Sequence, residues 1–129
     1  MFSGRIGRLV RGFSLWLTLA VAAAVTPAAA LERFATSELN VETASGRHFR
    51  FTVELALTPQ QQAQGLMFRE ALAPDAGMLF LYNTPQPAAF WMKNTLIPLD
   101  MLFIAPDGRV VNIHDRAVPH SEDATRSDG

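Results

Sequence analysis

Phe90-Trp91-Met92-Lys93-Asn94-Thr95-Leu96-Ile97-Pro98-Leu99-Asp100-Met101-Leu102-Phe103-Ile104 is the stretch on which the reading of this chain turns. Residues 88–92 and 97–104 are apolar runs of strand length, and Lys93-Asn94-Thr95 turns the chain between them. A core hairpin has no need of Lys93, Asn94 and Asp100 so close to so much apolar surface. An unpaired charge there costs on the order of several kcal/mol, so each of them is expected to have a partner. Two strands meeting at a polar corner are the expectation, and the corner is the first place to look for a site.

The stretches before and after the corner also read as strands. From His48 the pattern alternates, with Phe49, Phe51, Val53 and Leu55 on one face and His48, Arg50, Thr52 and Glu54 on the other. Period two of this kind marks a half-buried strand. Ala44-Ser45-Gly46 turns it back on a preceding strand over 38–43. Thr58-Pro59-Gln60-Gln61 then starts a helix, with Thr58 as cap, Pro59 at the first helical position and Gln61 at the capping-box position. Gly65 keeps it short, over about 59–67. Residues 78–82 form an apolar strand, Pro85 and Pro87 interrupt pairing, and Pro106-Asp107-Gly108 is a hairpin signal leading into 109–113. The fold class expected is mainly β (α+β), a small antiparallel, barrel-like sheet with one short helix.

Residues 1–30 read as a signal peptide: Arg5, Arg8 and Arg11, an apolar run over 13–25, then Pro27 before Ala28-Ala29-Ala30 as a small-residue cleavage site. The run is short for a bilayer span, so no membrane insertion is expected once it is removed. That makes the protein periplasmic or secreted, with one compact domain over 31–119 and a polar tail over 120–129 expected to lack order. All 12 acidic residues follow Ala30, while three of the 11 bases precede it, so residues 31–129 carry a net charge of −4. This disfavours nucleic acid as a partner. The absence of Cys removes disulfides, thiolate metal sites and cysteine nucleophiles.

Four phrases in fixed order carry a family resemblance: Val53-Glu54-Leu55-Ala56, Gly65-Leu66-Met67-Phe68-Arg69, Gly77-Met78-Leu79-Phe80, and Phe90-Trp91-Met92-Lys93-Asn94-Thr95 with Ile97-Pro98-Leu99-Asp100. With Asp107-Gly108 they make the segment 51–119 resemble the prokaryotic domain of unknown function 192. The resemblance implies a small, mostly β, barrel-like domain facing the envelope or secreted, and implies no activity. Members usually continue into further strands with a Leu-Glu-Leu phrase; this chain runs instead into a polar segment, so an open sheet edge is expected.

Arg69, Trp91, Lys93, Asn94 and Asp100 are the candidate binding residues, with no catalytic residue and no metal ligand assigned. In the functional reading Arg69 and Lys93 hold an anionic group while Trp91 and Asn94 orient it. In the structural reading Asp100 caps the turn and is neutralised by Lys93 or Arg69. Met67, Met78, Met92 and Met101 are read as core filler rather than Cu(I) ligands, and His114, Asp115 and His120 lack metal-site spacing, so no cofactor is expected. The function expected is an exported small-ligand-binding module whose partner is a small anionic molecule or an envelope component. The alternatives are a hydrolase using Asp100 as base, and an envelope interaction protein pairing through a sheet edge.

Overall fold

The computed structural model describes residues 30–129; the signal peptide expected over 1–30 lies, but for Ala30, outside them. The elements are β1 (Ala35–Glu42), β2 (His48–Ala56), α1 (Pro59–Gln64), β3 (Ala76–Phe80), β4 (Ala89–Phe90), β5 (Leu99–Ile104), β6 (Val110–Ala117) and β7 (Thr125–Arg126). The chain is mostly β with a single short helix, as expected, but its strands form three small sheets rather than a closed barrel.

β1 and β2 form the antiparallel hairpin foreseen from the alternation, in register from Ala35↔Leu55 to Glu42↔His48. β3 joins the other side of β2 in parallel, from Thr52↔Ala76 to Ala56↔Phe80. The expected antiparallel pairing is thus joined by one parallel strand: the chain crosses through α1 before returning, and a crossover of this kind delivers a parallel strand. β5 and β6 form the second hairpin, closed by Ala105 N–H donating to Arg109 O (2.8 Å) and by Gly108 at φ +89°. β4 pairs with β7 and not with β5. The corner expected to close a β4–β5 hairpin is therefore a crossing between sheets. Pro98, which has no N–H to donate, stands just before β5, and Asn94 at φ +55° turns the backbone away.

The capping box forms in full: Gln61 N–H donates to Thr58 Oγ1 and Thr58 N–H to Gln61 Oε1, each at 3.1 Å. α1 ends at Gln64 rather than near 67. Gly65 breaks it with φ +50° and ψ −133°, and a Cβ there would stand 3.2 Å from the Phe80 ring. Glycine lets the chain press against β3 and deliver Leu66 to the interior.

Val53, Ala56, Leu66, Met92, Phe103 and Ala117 are the buried apolar residues among those described. Phe90 holds the sheets together, its ring 4.9 Å from that of Phe80, edge-on, and 6.0 Å from that of Phe103. Edge-to-face pairs at such distances contribute about 0.5–1.5 kcal/mol beyond the area they bury. Between the β1–β3 sheet and β5 lies a trough of about 920 Å3, walled by apolar side chains such as Val53, Leu66, Met78, Phe80 and Phe103.

The polar segment 120–129 is ordered, contrary to expectation. β7 pairs Arg126 with Ala89 and Thr125 with Phe90. Met92 N–H donates to Ser121 O (2.7 Å), and Ser127 N–H to Ala88 O (2.9 Å). Its order comes from main-chain bonding, which needs no apolar side chain.

Candidate functional site

The corner after β4 is a backbone knot. Thr95, 5 % exposed, lies at its centre with Met92 beneath it. Thr95 N–H donates to Met92 O (3.0 Å) and its hydroxyl to Lys93 O (3.2 Å). Two other segments tie on from outside: Phe68 N–H donates to Asn94 O (2.9 Å), and His120 N–H donates to Thr95 O (3.1 Å). Phe68, Asn94 and His120 have φ of +65°, +55° and +64°. Asparagine reaches this left-handed region at low cost, but a bulky residue such as phenylalanine does so only under strain. Three non-glycine residues held there in one bonded cluster are what over-determined backbone looks like, and such clusters are typical of ligand sites.

The knot presents exposed side chains. Trp91 is 48 % exposed and Phe68 53 %. Lys93 Nζ stands 5.1 Å from the centroid of the Trp91 ring, within cation–π range. The same ammonium is 3.8 Å from Glu122 Oε1, too far for a hydrogen bond, and both side chains are well exposed. The pair fixes little on its own, since surface pairs of this kind are worth about 0–1 kcal/mol.

The sequence-predicted residues divide into three places. Trp91, Lys93 and Asn94 lie at the knot. Arg69 is engaged elsewhere: its guanidinium makes a two-pronged pair with Glu54 on β2 (Nη1–Oε2 2.9 Å, Nη2–Oε1 3.0 Å), and its central carbon, Cζ, lies 5.9 Å from the centroid of the Phe34 ring. Asp100 sits in the bulge between Leu99 and Met101 of β5, where Oδ1 accepts the N–H of Arg116 (2.8 Å), itself at φ +46°. Asp100 makes no ion pair with Lys93 or Arg69 among the described residues, so the shared Arg69–Asp100–Lys93 cluster does not form. It is an exposed residue that answers a bulge amide and borders the trough. Phe68, His120 and Glu122 belong to the corner but were missed. The signals were faint: a Phe after Gly-Leu-Met carries no mark of positive φ, and His120 and Glu122 lie in a segment with no apolar anchor.

A mixed-sheet β domain with one capped helix turn and a strained, aromatic-rimmed corner is the class this geometry defines. The chain belongs to the DUF192 family, described as "Uncharacterized ACR", whose profile matches residues 40–129. Among solved structures it is similar to a candidate transcription regulator from Sinorhizobium meliloti 1021, at 51% identity over 76% of each chain with a TM-score of 0.73. It is also similar to a protein of unknown function from Novosphingobium aromaticivorans DSM 12444, at 42% identity over 78% of this chain and 76% of that one, with a TM-score of 0.71. The comparison with curated proteins finds no match. No described helix is long and apolar enough to cross a membrane.

Proposed function

We propose that the protein is an exported binding module that recognises a carboxylate- or phosphate-bearing small molecule at the Trp91–Lys93–Asn94 corner. The observation that carries this reading is the placement of Lys93, the chain's single lysine, beside an exposed indole on a bonded backbone cluster that holds three residues at positive φ, with Phe68 strained there. Strain of about 1–3 kcal/mol per residue persists where surrounding structure enforces it, and a preorganised corner lowers the ordering cost of binding. The leader pattern over 1–30 supports export, and the net negative charge of residues 31–129 speaks against nucleic acid as the ligand. Arg69 drops out as an anion ligand because Glu54 already neutralises it. Asp100 stands apart from Lys93 and Arg69, with its Oδ1 accepting the Arg116 amide, so the three residues of the hydrolase alternative are not brought together.

Benzoate, a ring bearing one carboxylate, is the probe. In ligand-observed NMR titrations of the domain, Lys93→Met should weaken benzoate binding about ten- to a hundredfold, the worth of one charge-assisted contact, while Arg69→Met leaves it unchanged. Equal binding by wild type and Lys93→Met would refute the assignment.

A further inference from the structure

We infer that the corner selects zwitterions, and that its ligand class is the free α-amino acid with an apolar or aromatic side chain. The inference rests on the anion reading above and adds Glu122 as a second recognition group. Lys93 and Glu122 are not two surface charges that happen to be neighbours. The residue before each is locked to the other by the shortest of the corner's main-chain bonds, Met92 N–H to Ser121 O at 2.7 Å. The His120 N–H to Thr95 O bond (3.1 Å), from the residue before Ser121 to the third residue after Met92, fixes the same two segments a second time. Opposite charges are thus held side by side by the backbone, independently of their attraction for each other.

The gap between them decides what they can do. At 3.8 Å, Lys93 Nζ and Glu122 Oε1 are beyond hydrogen-bond distance, so the ammonium keeps its donors and the carboxylate its acceptors. A simple anion brought to Lys93 also approaches Glu122 and is repelled by it; a simple cation meets the converse penalty. An α-amino acid avoids both. Its carboxylate faces Lys93 and its ammonium faces Glu122, giving four charges of alternating sign around one ring, with the two contacts to the ligand at about 2.8 Å. Two apolar, exposed side chains belong to the same corner: the Trp91 indole, over which Lys93 already lies, and Phe68, whose main chain is bonded to Asn94. These suit a hydrocarbon or aromatic side chain on the same ligand. Asn94, held at φ +55°, adds to the corner an amide that can donate and accept.

The test compares three probes of one shape: L-phenylalanine, N-acetyl-L-phenylalanine, which lacks the ammonium, and L-phenylalaninamide, which lacks the carboxylate. Each is titrated by ligand-observed NMR against the wild type, Glu122→Gln and Lys93→Met. The expected result is that phenylalanine binds the wild type about tenfold more tightly than either blocked form. Glu122→Gln should erase the preference over N-acetylphenylalanine by weakening phenylalanine and strengthening N-acetylphenylalanine. Lys93→Met should weaken both carboxylate-bearing probes. N-acetylphenylalanine binding the wild type as tightly as phenylalanine, or a phenylalanine affinity unmoved by Glu122→Gln, overturns the zwitterion inference. If N-acetylphenylalanine still loses affinity in Lys93→Met, the anion reading survives that failure. If neither carboxylate-bearing probe responds to Lys93→Met, both fall. Both substituted side chains are exposed, and an unchanged thermal melt of each variant confirms that the fold is intact.

Discussion

Strain at the corner can be measured without knowing any ligand, by substituting Phe68 with alanine and with glycine. On ordinary backbone the alanine variant is the more stable, because glycine has more conformational freedom to lose on folding, a difference of about 0.5–1 kcal/mol. At Phe68 the order should invert. Its φ of +65° charges any residue with a Cβ about 1–2 kcal/mol, and glycine is exempt. Both variants lose the same side chain, which at 53 % exposure gives up about half of the 2–3 kcal/mol that full burial of a phenylalanine would contribute. Phe68→Ala keeps the strain and loses the contact, so it should be destabilised by about 1 kcal/mol. Phe68→Gly loses the contact but sheds the strain, and should lie within about 1 kcal/mol of wild type and above the alanine variant. For a domain of this size 1 kcal/mol moves Tm by about 4–8 °C, which urea and thermal melts resolve readily. The comparison cancels the side-chain term, so only backbone conformation separates the two variants. An alanine variant at least as stable as the glycine variant would refute the claim that the knot is strained at Phe68.

Two further outcomes follow from single contacts. Gly65→Ala places a Cβ 3.2 Å from the Phe80 ring at φ +50°, so strain and crowding should together cost about 1–3 kcal/mol in equilibrium unfolding, far above an exposed helix-end substitution. Asp100→Ala removes one carboxylate bond to the Arg116 amide at an exposed bulge and strands no cation, so it should cost about 1 kcal/mol; a loss of 3–5 kcal/mol in the same assay would mean that Asp100 neutralises a buried charge.

What was legible in the sequence was whatever is encoded locally. The alternation from His48 gave β2 and its antiparallel partner, and Thr58 with Gln61 gave the capping box, because each depends on neighbours within a few residues. The direction of β3 was not legible, since a strand reads the same whichever way its neighbour runs. Arg69 found Glu54, a residue assigned to the solvent face of β2, because the parallel arrival of the crossover brings the turn after α1 over that face. Lys93, Asn94 and Trp91 stood out as polar and aromatic residues in an apolar stretch, and they do share the corner. Asp100 stood out for the same reason and does not join them, because composition cannot distinguish a carboxylate that answers a cation from one that answers a bulge amide. The segment 120–129 misled for a related reason: apolar content measures side-chain burial and is blind to the main-chain bonds that tie Ser121 and Ser127 to the corner and to β4.

The aromatic bridge through Phe90 has a kinetic side. Phe80, Phe90 and Phe103 meet across short stretches of chain, whereas β7 must return to Ala89 and Phe90 from the far end of the domain. Closing the longer loop costs about 1 kcal/mol more in chain entropy, and the two-residue β4–β7 ladder gives little in return. The loop lengths therefore predict that the rings meet early in folding and that β7 docks later. The order of opening is the reverse. Amides tied across β4 and β7 should exchange with solvent through local release, while those of β2 and β5 wait for the whole domain to unfold. Glu122 lies next to the Met92–Ser121 bond, on the corner side of that ladder, so β7 can open locally while Glu122 stays tied beside Lys93.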